Sequence, residues 1–188
     1  MAWPALEELH TPRLLLVRMG AADLEDFCRM HRDPRVMATL GGIRSDDVTV
    51  AVFQRLVAHW EQHGFGWWTI RDLATGRFAG RGGLRHVIVG GREEVEIGYG
   101  LLPDFWGRGL ATELATASAQ SGFVTLGRQE LVGFTLPTNL ASRRVLEKAG
   151  FRYERDIVYA ELPHVLYRLT ATAWQTLAHG ATEGRSER

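Results

Sequence analysis

The sequence predicts a single domain of mixed α/β type, in the α+β arrangement, built on a mostly antiparallel sheet. Three observations predict it. The 188 residues are 45% hydrophobic and 23% charged, the composition of an ordinary folded domain. A chain of this length buries roughly 70% of the surface its unfolded form exposes, enough to hold together without disulfides. Apolar residues recur at helical spacing between Leu24 and Trp60, whereas from Trp67 to Leu102 the period falls to two, with turn residues between the runs.

In order, Arg13 to Arg18 is a short apolar run between polar residues and reads as a first strand. Leu24, Phe27, Cys28 and His31 trace one face of a helix that Asp33-Pro34 stops, because the residue before proline avoids the helical region. Gly41-Gly42 makes a loop, Ser45 or Asp46 offers a cap, and Phe53, Leu56, Val57 and Trp60 form the stripe of a second helix closed by Gly64. Trp67 to Arg71, Phe78 to Val89 and Glu93 to Leu102 are strands. The last places Val95, Ile97, Tyr99 and Leu101 on one face and Glu94, Glu96, Gly98 and Gly100 on the other. Two glycines on one face leave room either for a ligand or backbone to approach or for tight packing under a helix. Leu110, Leu114, Ala117 and Val124 mark a helix running to Gly127, Leu131 to Leu136 a buried strand, and Ala141, Val145 and Ala149 a short helix ended by Gly150. Phe151 to Tyr159 and His164 to Leu169 are the final strands, and Ala171 to Ala178 a last helical turn. Residues 1–178 are expected to form one domain and residues 179–188 a flexible tail.

Composition excludes several functions. Twenty-two basic side chains balance 22 acidic ones with no run of like charge, so the positive field of a general nucleic-acid binder is missing. One cysteine, Cys28, allows no intramolecular disulfide and no thiolate metal cluster, which suits a reducing compartment. Residues 1–10 lack the basic start and apolar core of a signal peptide, and no stretch approaches the roughly 20 apolar residues of a membrane span. A cytoplasmic protein with no membrane contact is expected. The seven histidines are scattered without a close pair at ligand spacing, so no metal is expected, and Ser118 and Ser121 lack the G-x-S-x-G elbow of a serine hydrolase. Apolar edge strands near the C-terminus are compatible with a homodimer.

The chemistry concentrates between Phe105 and Thr112, where two glycines spaced by one residue link a strand end to a helix start. Orphan N–H groups and the positive end of the helix dipole suit such a turn to a phosphate or pyrophosphate, and Gly107 and Gly109 let backbone come close. A plain connection with glycines for turn geometry is the alternative. The G-x-x-x-x-G-K-[ST] loop of nucleoside triphosphatases is excluded because this turn holds no lysine, and a dinucleotide fingerprint is disfavoured because Thr112 stands where a third glycine belongs.

Four segments then carry a resemblance. Trp106-Gly107-Arg108-Gly109-Leu110-Ala111-Thr112 resembles the [Q/R]-x-x-G-x-[G/A] pyrophosphate loop of the GNAT N-acetyltransferases, with Trp106 at the usual Gln or Arg. The run from Asn139 to Phe151 resembles the N-x-x-S-x-x-x-L-x-K-x-G-F block of the branch related to ribosomal-protein N-terminal acetyltransferases, the Rim type. Thr11-Pro12-Arg13-Leu14-Leu15-Leu16 and Glu96-Ile97-Gly98-Tyr99 are similar to that branch as well, so the likeness covers Thr11 to Leu169. The resemblance implies a GNAT fold: six or seven strands, splayed between the strand ending at Leu102 and the one starting at Leu131, with about four helices on the faces. Acetyl-CoA would lie in the wedge, its pantetheine bonding backbone of Leu101 and Leu102, its pyrophosphate on Trp106, Gly107, Arg108, Gly109, Leu110, Ala111 and Thr112, with Asn139 and Ser142 approaching from the other arm. Helix capping explains the same two residues without a ligand.

Acetyl transfer to nitrogen needs a neutral amine, donors for the developing oxyanion and a proton for the departing thiolate. Deprotonation at pH 7 costs about 1 kcal/mol for an α-amino group and about 4.6 kcal/mol for a lysine, so an N-terminal acceptor asks less of its base. Glu96 is the candidate base, through a water, with a solvated strand carboxylate as the plain alternative. The resemblance makes the Leu101 N–H the oxyanion donor and leaves the family's usual tyrosine position occupied by Leu146, with Ser142 as the local substitute acid. Trp67, Trp68 and His86 lie near the expected acceptor side, which the segment from Val36 to Asp47 would also shape. The expected partners are acetyl-CoA and a primary amine, either a peptide N-terminus or a small molecule. The rival reading is a non-catalytic CoA-binding sensor, for which the vacancy at Leu146 gives room.

Overall fold

The computed structural model describes residues 6–186, and side chains as far as residue 178. Eight strands form one sheet: β1 (Glu8–His10), β2 (Leu14–Arg18), β3 (Trp67–Asp72), β4 (Phe78–Val89), β5 (Arg92–Leu101), β6 (Glu130–Thr135), β7 (Arg152–Tyr159) and β8 (Leu162–Thr170), in the order β1-β2-β3-β4-β5-β6-β8-β7. Every neighbouring pair is antiparallel except β5 and β6. Six α-helices accompany them among the described residues: α1 (Leu24–His31), α2 (Pro34–Met37), α3 (Asp46–His63), α4 (Leu110–Gln120), α5 (Leu140–Lys148) and α6 (Ala171–Ser186). The α+β class and the mixed, mostly antiparallel sheet are as expected, but the structure has eight strands rather than six or seven, and six helices rather than four.

The extra elements are those whose sequence signal is short or ambiguous. β1 spans three residues, too few to show an alternation. Pro34 ends α1 as expected and then opens α2, because proline fits a first helical turn and the Asp33 carboxylate accepts the Arg35 N–H at 2.9 Å. α4 runs into a π turn at Ser121–Thr125, where an added residue per turn rotates the apolar stripe. Val124, expected to face inward, is therefore 63% exposed, and Phe123 is buried instead. α6 continues to Ser186, well past the single turn expected; residues 187–188 of the expected tail lie outside the described residues.

Of four hydrophobic clusters among the described residues, two lie on opposite sides of the central strands. On one side Leu110, Leu114 and Ala119 of α4 pack with Ile97, Leu101, Leu131 and Tyr167; full burial of each such leucine contributes roughly 2 kcal/mol. On the other side Phe27 of α1 and Phe53 and Leu56 of α3 pack with Met19 and Trp67. Among the described residues no helix is long and apolar enough to cross a membrane.

Candidate functional site

The sheet parts at its centre. β5 and β6 hold register at one pair, Glu96 opposite Val132, and diverge beyond it. Backbone groups of an antiparallel strand alternate between its two neighbours. The Leu102 N–H donates to the Ala79 carbonyl at 2.8 Å, so one residue earlier the Leu101 amide and carbonyl point into the gap. Leu102 itself is engaged on both sides, since its carbonyl accepts from the Phe105 N–H at 2.9 Å. Of the two residues expected to offer backbone there, the ladder therefore leaves Leu101 as the donor. The Trp106 indole N–H closes on the Leu101 carbonyl at 2.7 Å, and half of this side chain stays exposed at the mouth of the gap.

The glycine loop stands at that mouth. Gly107 and Gly109 have φ of 71° and 76°, a region that L side chains rarely adopt, and open space surrounds the point where a Gly107 Cβ would sit. The Glu113 N–H makes the first helical bond of α4, to the Gly109 carbonyl at 3.1 Å, so the amides of Leu110, Ala111 and Thr112 precede the ladder and remain open donors at the positive helix end. Leu110 buries its side chain in the core and offers backbone only.

A strut that sequence reasoning did not assign holds this turn. Glu113 accepts from the Thr11 hydroxyl at 2.5 Å, the Arg13 N–H at 2.8 Å and Arg13 Nε at 2.7 Å, while Arg13 Nη1 donates to the Arg108 carbonyl at 2.7 Å. Burial pushes the Glu113 carboxyl up, and the hydrogen bonds from Thr11 and Arg13 outweigh it and hold it below its ordinary value. Thr11-Pro12-Arg13 was visible as a motif; its partner a hundred residues on was not.

From the other arm, Asn139 caps α5: its Oδ1 accepts the Ser142 N–H at 3.1 Å. Ser142 meets Tyr99 across the gap, with the Tyr99 hydroxyl 3.0 Å from Ser142 Oγ and donating to the Ser142 carbonyl at 3.1 Å. Burial raises the Tyr99 phenol, and the Ser142 hydrogen bond offsets only part of that rise. Leu146, at the position where the resemblance implied a tyrosine, packs fully buried against Gly133.

The glycine face of β5 is covered. A Cβ on Gly98 would collide with the Trp67 ring, and one on Gly100 would stand 2.9 Å from Met30 Cε and 3.4 Å from Leu40 Cδ1. Of the two expectations, packing accounts for these glycines. Glu96 departs from the solvated carboxylate expected as its plain alternative: it is 4% exposed and ion-paired with Arg85 at 2.5 Å. Trp67 lies beneath Arg81 and Arg85, their guanidinium carbons 4.2 and 4.9 Å from its ring centroid. Trp68 is core, its indole donating to the Leu6 carbonyl at 2.7 Å. The histidines are not scattered as expected: His63 packs in tilted contact against His59 and His86, with ring centroids 4.4 and 4.5 Å apart. His59 and His63 sit four apart on α3, a signal the sequence did offer. Among the described residues no three His, Cys, Asp or Glu side chains are arranged to hold a metal ion.

Comparison with known proteins agrees with this geometry. The family model of the acetyltransferase (GNAT) domain matches residues 13–152. The FsC-acetyl coenzyme A-N(2)-transacetylase of Aspergillus fumigatus is 30% identical over 191 residues, covering 93% of this chain and 80% of its own. The crystal structure of an acetyltransferase from Agrobacterium tumefaciens superposes with a TM-score of 0.76 at 30% identity, covering 86% of this chain and 93% of that one. RimL, a ribosomal L7/L12 alpha-N-protein acetyltransferase solved with coenzyme A, shares the fold with a TM-score of 0.72 at 17% identity, covering 89% of this chain and 99% of that one.

Proposed function

Because the chain belongs to the GNAT acetyltransferase family, we propose that it transfers the acetyl group of acetyl-CoA to a primary amine by direct attack in a ternary complex. The observation that carries this is the parting of β5 and β6 after one register pair, with an open-amide turn at its mouth. The residues suit the co-substrate. The amides of Leu110, Ala111 and Thr112, with Gly107 and Gly109 bare of side chains, would receive the pyrophosphate, and Arg108 would lie beside it. The Leu101 N–H would hold the acetyl carbonyl and its developing charge. Leu102 would serve by fixing that strand end, and the Trp106 indole would yield the Leu101 carbonyl to the pantetheine.

Asn139 holds the first turn of α5, so Ser142 keeps its place against Tyr99. The Tyr99 phenol, protonated at neutral pH, would give its proton to the leaving thiolate with Ser142 as its hydrogen-bonded partner; this answers the vacancy at Leu146. Glu96 is the carboxylate on the central strand and our candidate for accepting the amine proton. It stands five residues from Leu101, about 17 Å along the strand, so its reach requires a chain of waters rather than one. A protein N-terminal α-amine as acceptor rests on the Rim-type resemblance of the Asn139 block; a small-molecule amine is the other acceptor. The low cysteine content supports a cytoplasmic setting.

Calorimetry with CoA, followed by thiol release from acetyl-CoA across a panel of amines and N-terminal peptides, tests the reading. Micromolar binding and release with at least one acceptor is expected. No binding, or binding with transfer to none, overturns it.

A further inference from the structure

On the sheet face under α1, four buried side chains leave polar atoms without partners among the described residues: Arg81 Nε and Nη1, both ring nitrogens of His31, Trp67 Nε1 and Thr69 Oγ1. They are 5%, 2%, 8% and 1% exposed, so solvent is not at hand to satisfy them. Arg81, Thr69 and Trp67 are also neighbours, and His31 lies close enough to feel the Arg81 charge. Thr69 stands opposite Arg81 in the β3–β4 register, and Arg81 stands opposite Gly100 in the β4–β5 register. The Arg81 guanidinium carbon lies 4.2 Å from the Trp67 ring centroid and 3.8 Å from where a Gly100 Cβ would be.

The charge here is only partly compensated. Burial first, then Arg81 and Arg44, push His31 down to about 3, which leaves it neutral. Burial first, then the nearby Arg85, lower Arg81 to about 9 against the opposing pull of Glu96, still protonated at neutral pH. The carboxylate facing this region, Glu96, is committed to Arg85 at 2.5 Å. A guanidinium withdrawn from water without a hydrogen-bonded counter-ion is unfavourable unless an anion joins it.

We propose that Arg81, with Trp67, Thr69 and His31 as neutral partners, is the anion subsite of the acceptor pocket and takes the carboxylate of an acceptor that carries its amine a few bonds away, as an amino acid does. The inference rests on the acetyl-transfer reading for the amine end. Gly100 adjoins Leu101, whose N–H is assigned to the acetyl carbonyl, and consecutive Cα atoms are about 3.8 Å apart, which sets the short spacing between the two groups. One guanidinium matches the single charge of a carboxylate better than the double charge of a phosphate. The atoms lying over Gly100 are the tips of Met30 and Leu40, and a methionine adapts readily to a ligand.

The test pairs amino acids with their own amides and with phosphonate analogues, in calorimetry on the CoA-loaded protein and in thiol release from acetyl-CoA. The free acids are expected to bind and react at least about tenfold better than the amides, and Arg81→Gln to bring that ratio toward one. Equal binding of acid and amide by the wild type, no binding of any acid, or a preference for phosphonates overturns the subsite. Acid-selective binding with no thiol release upholds the subsite and sinks the transfer reading, whereas thiol release indifferent to the carboxylate does the reverse. The wild-type comparison needs no variant, so it stands even where Arg81→Gln does not fold.

Discussion

Two side chains of the central strand carry opposite duties in the proposed reaction, and pH separates them. Burial keeps the Tyr99 phenol protonated through neutral pH, with Ser142 at 3.0 Å to orient it. Tyr99→Phe removes the proton donor and is expected to lower kcat by about 100-fold, with Ser142→Ala nearer tenfold, neither loss being relieved by raising pH. Glu96→Gln removes the base, and its rate loss should shrink as alkaline pH deprotonates the amine unaided. Stopped-flow pH–rate profiles distinguish them; a Glu96→Gln profile identical to wild type removes that residue from the mechanism. At this scale the sequence offered Asn139 and Ser142 as a motif, and Tyr99 as an apolar-face residue within the Glu96-Ile97-Gly98-Tyr99 likeness, with no role attached to its hydroxyl. Strand alternation says which face a side chain takes, whereas what its hydroxyl reaches depends on α5, more than forty residues away.

The turn before α4 is held by β2's approach rather than by its own residues. Arg13 binds Glu113 and the Arg108 carbonyl together, so losing it frees the helix start that the proposed pyrophosphate contact needs. Arg13→Ala and Glu113→Ala are each expected to weaken CoA binding by about tenfold, equivalent to about 1.4 kcal/mol, with a small drop in melting temperature. An unchanged Kd for CoA would mean that the glycine turn is rigid without its strut. Most elements were legible from periodicity and stop signals: α3 from its stripe and Gly64, α5 from Gly150, β3 to β5 from alternation. Those that were missed have local causes. A proline can both end and begin a helix, as Pro34 does, and a π turn shifts a stripe without altering composition, as at Val124.

Across the whole molecule the buried histidines tie stability to pH. Burial first, and in part neighbouring histidines, hold His59 at about 4, and His31 lies at about 3, both below the 6.5 of the unfolded chain. The unfolded state therefore binds more protons between these limits, so the stability is fully present above about pH 6.5 and falls as pH drops toward 4. For fully buried His31 the slope approaches 1.4 kcal/mol per pH unit at most. Urea denaturation between pH 7 and 4.5 should show a falling midpoint, and His31→Leu should flatten that fall by up to one proton; a midpoint independent of pH would refute the buried, neutral imidazoles.

By itself the sequence determined the α+β class, the order of most elements, the glycine turn and the family likeness, because propensity, alternation and turn chemistry act over a few neighbouring residues. Tertiary structure alone decided that Leu101 rather than Leu102 points its amide into the gap, that Tyr99 meets Ser142, that Arg13 braces Glu113, and that Arg81 lies buried with two guanidinium nitrogens unpartnered among the described residues. Each of these depends on which strand or helix lies alongside, and pairing between segments far apart in the chain leaves no local mark on either one.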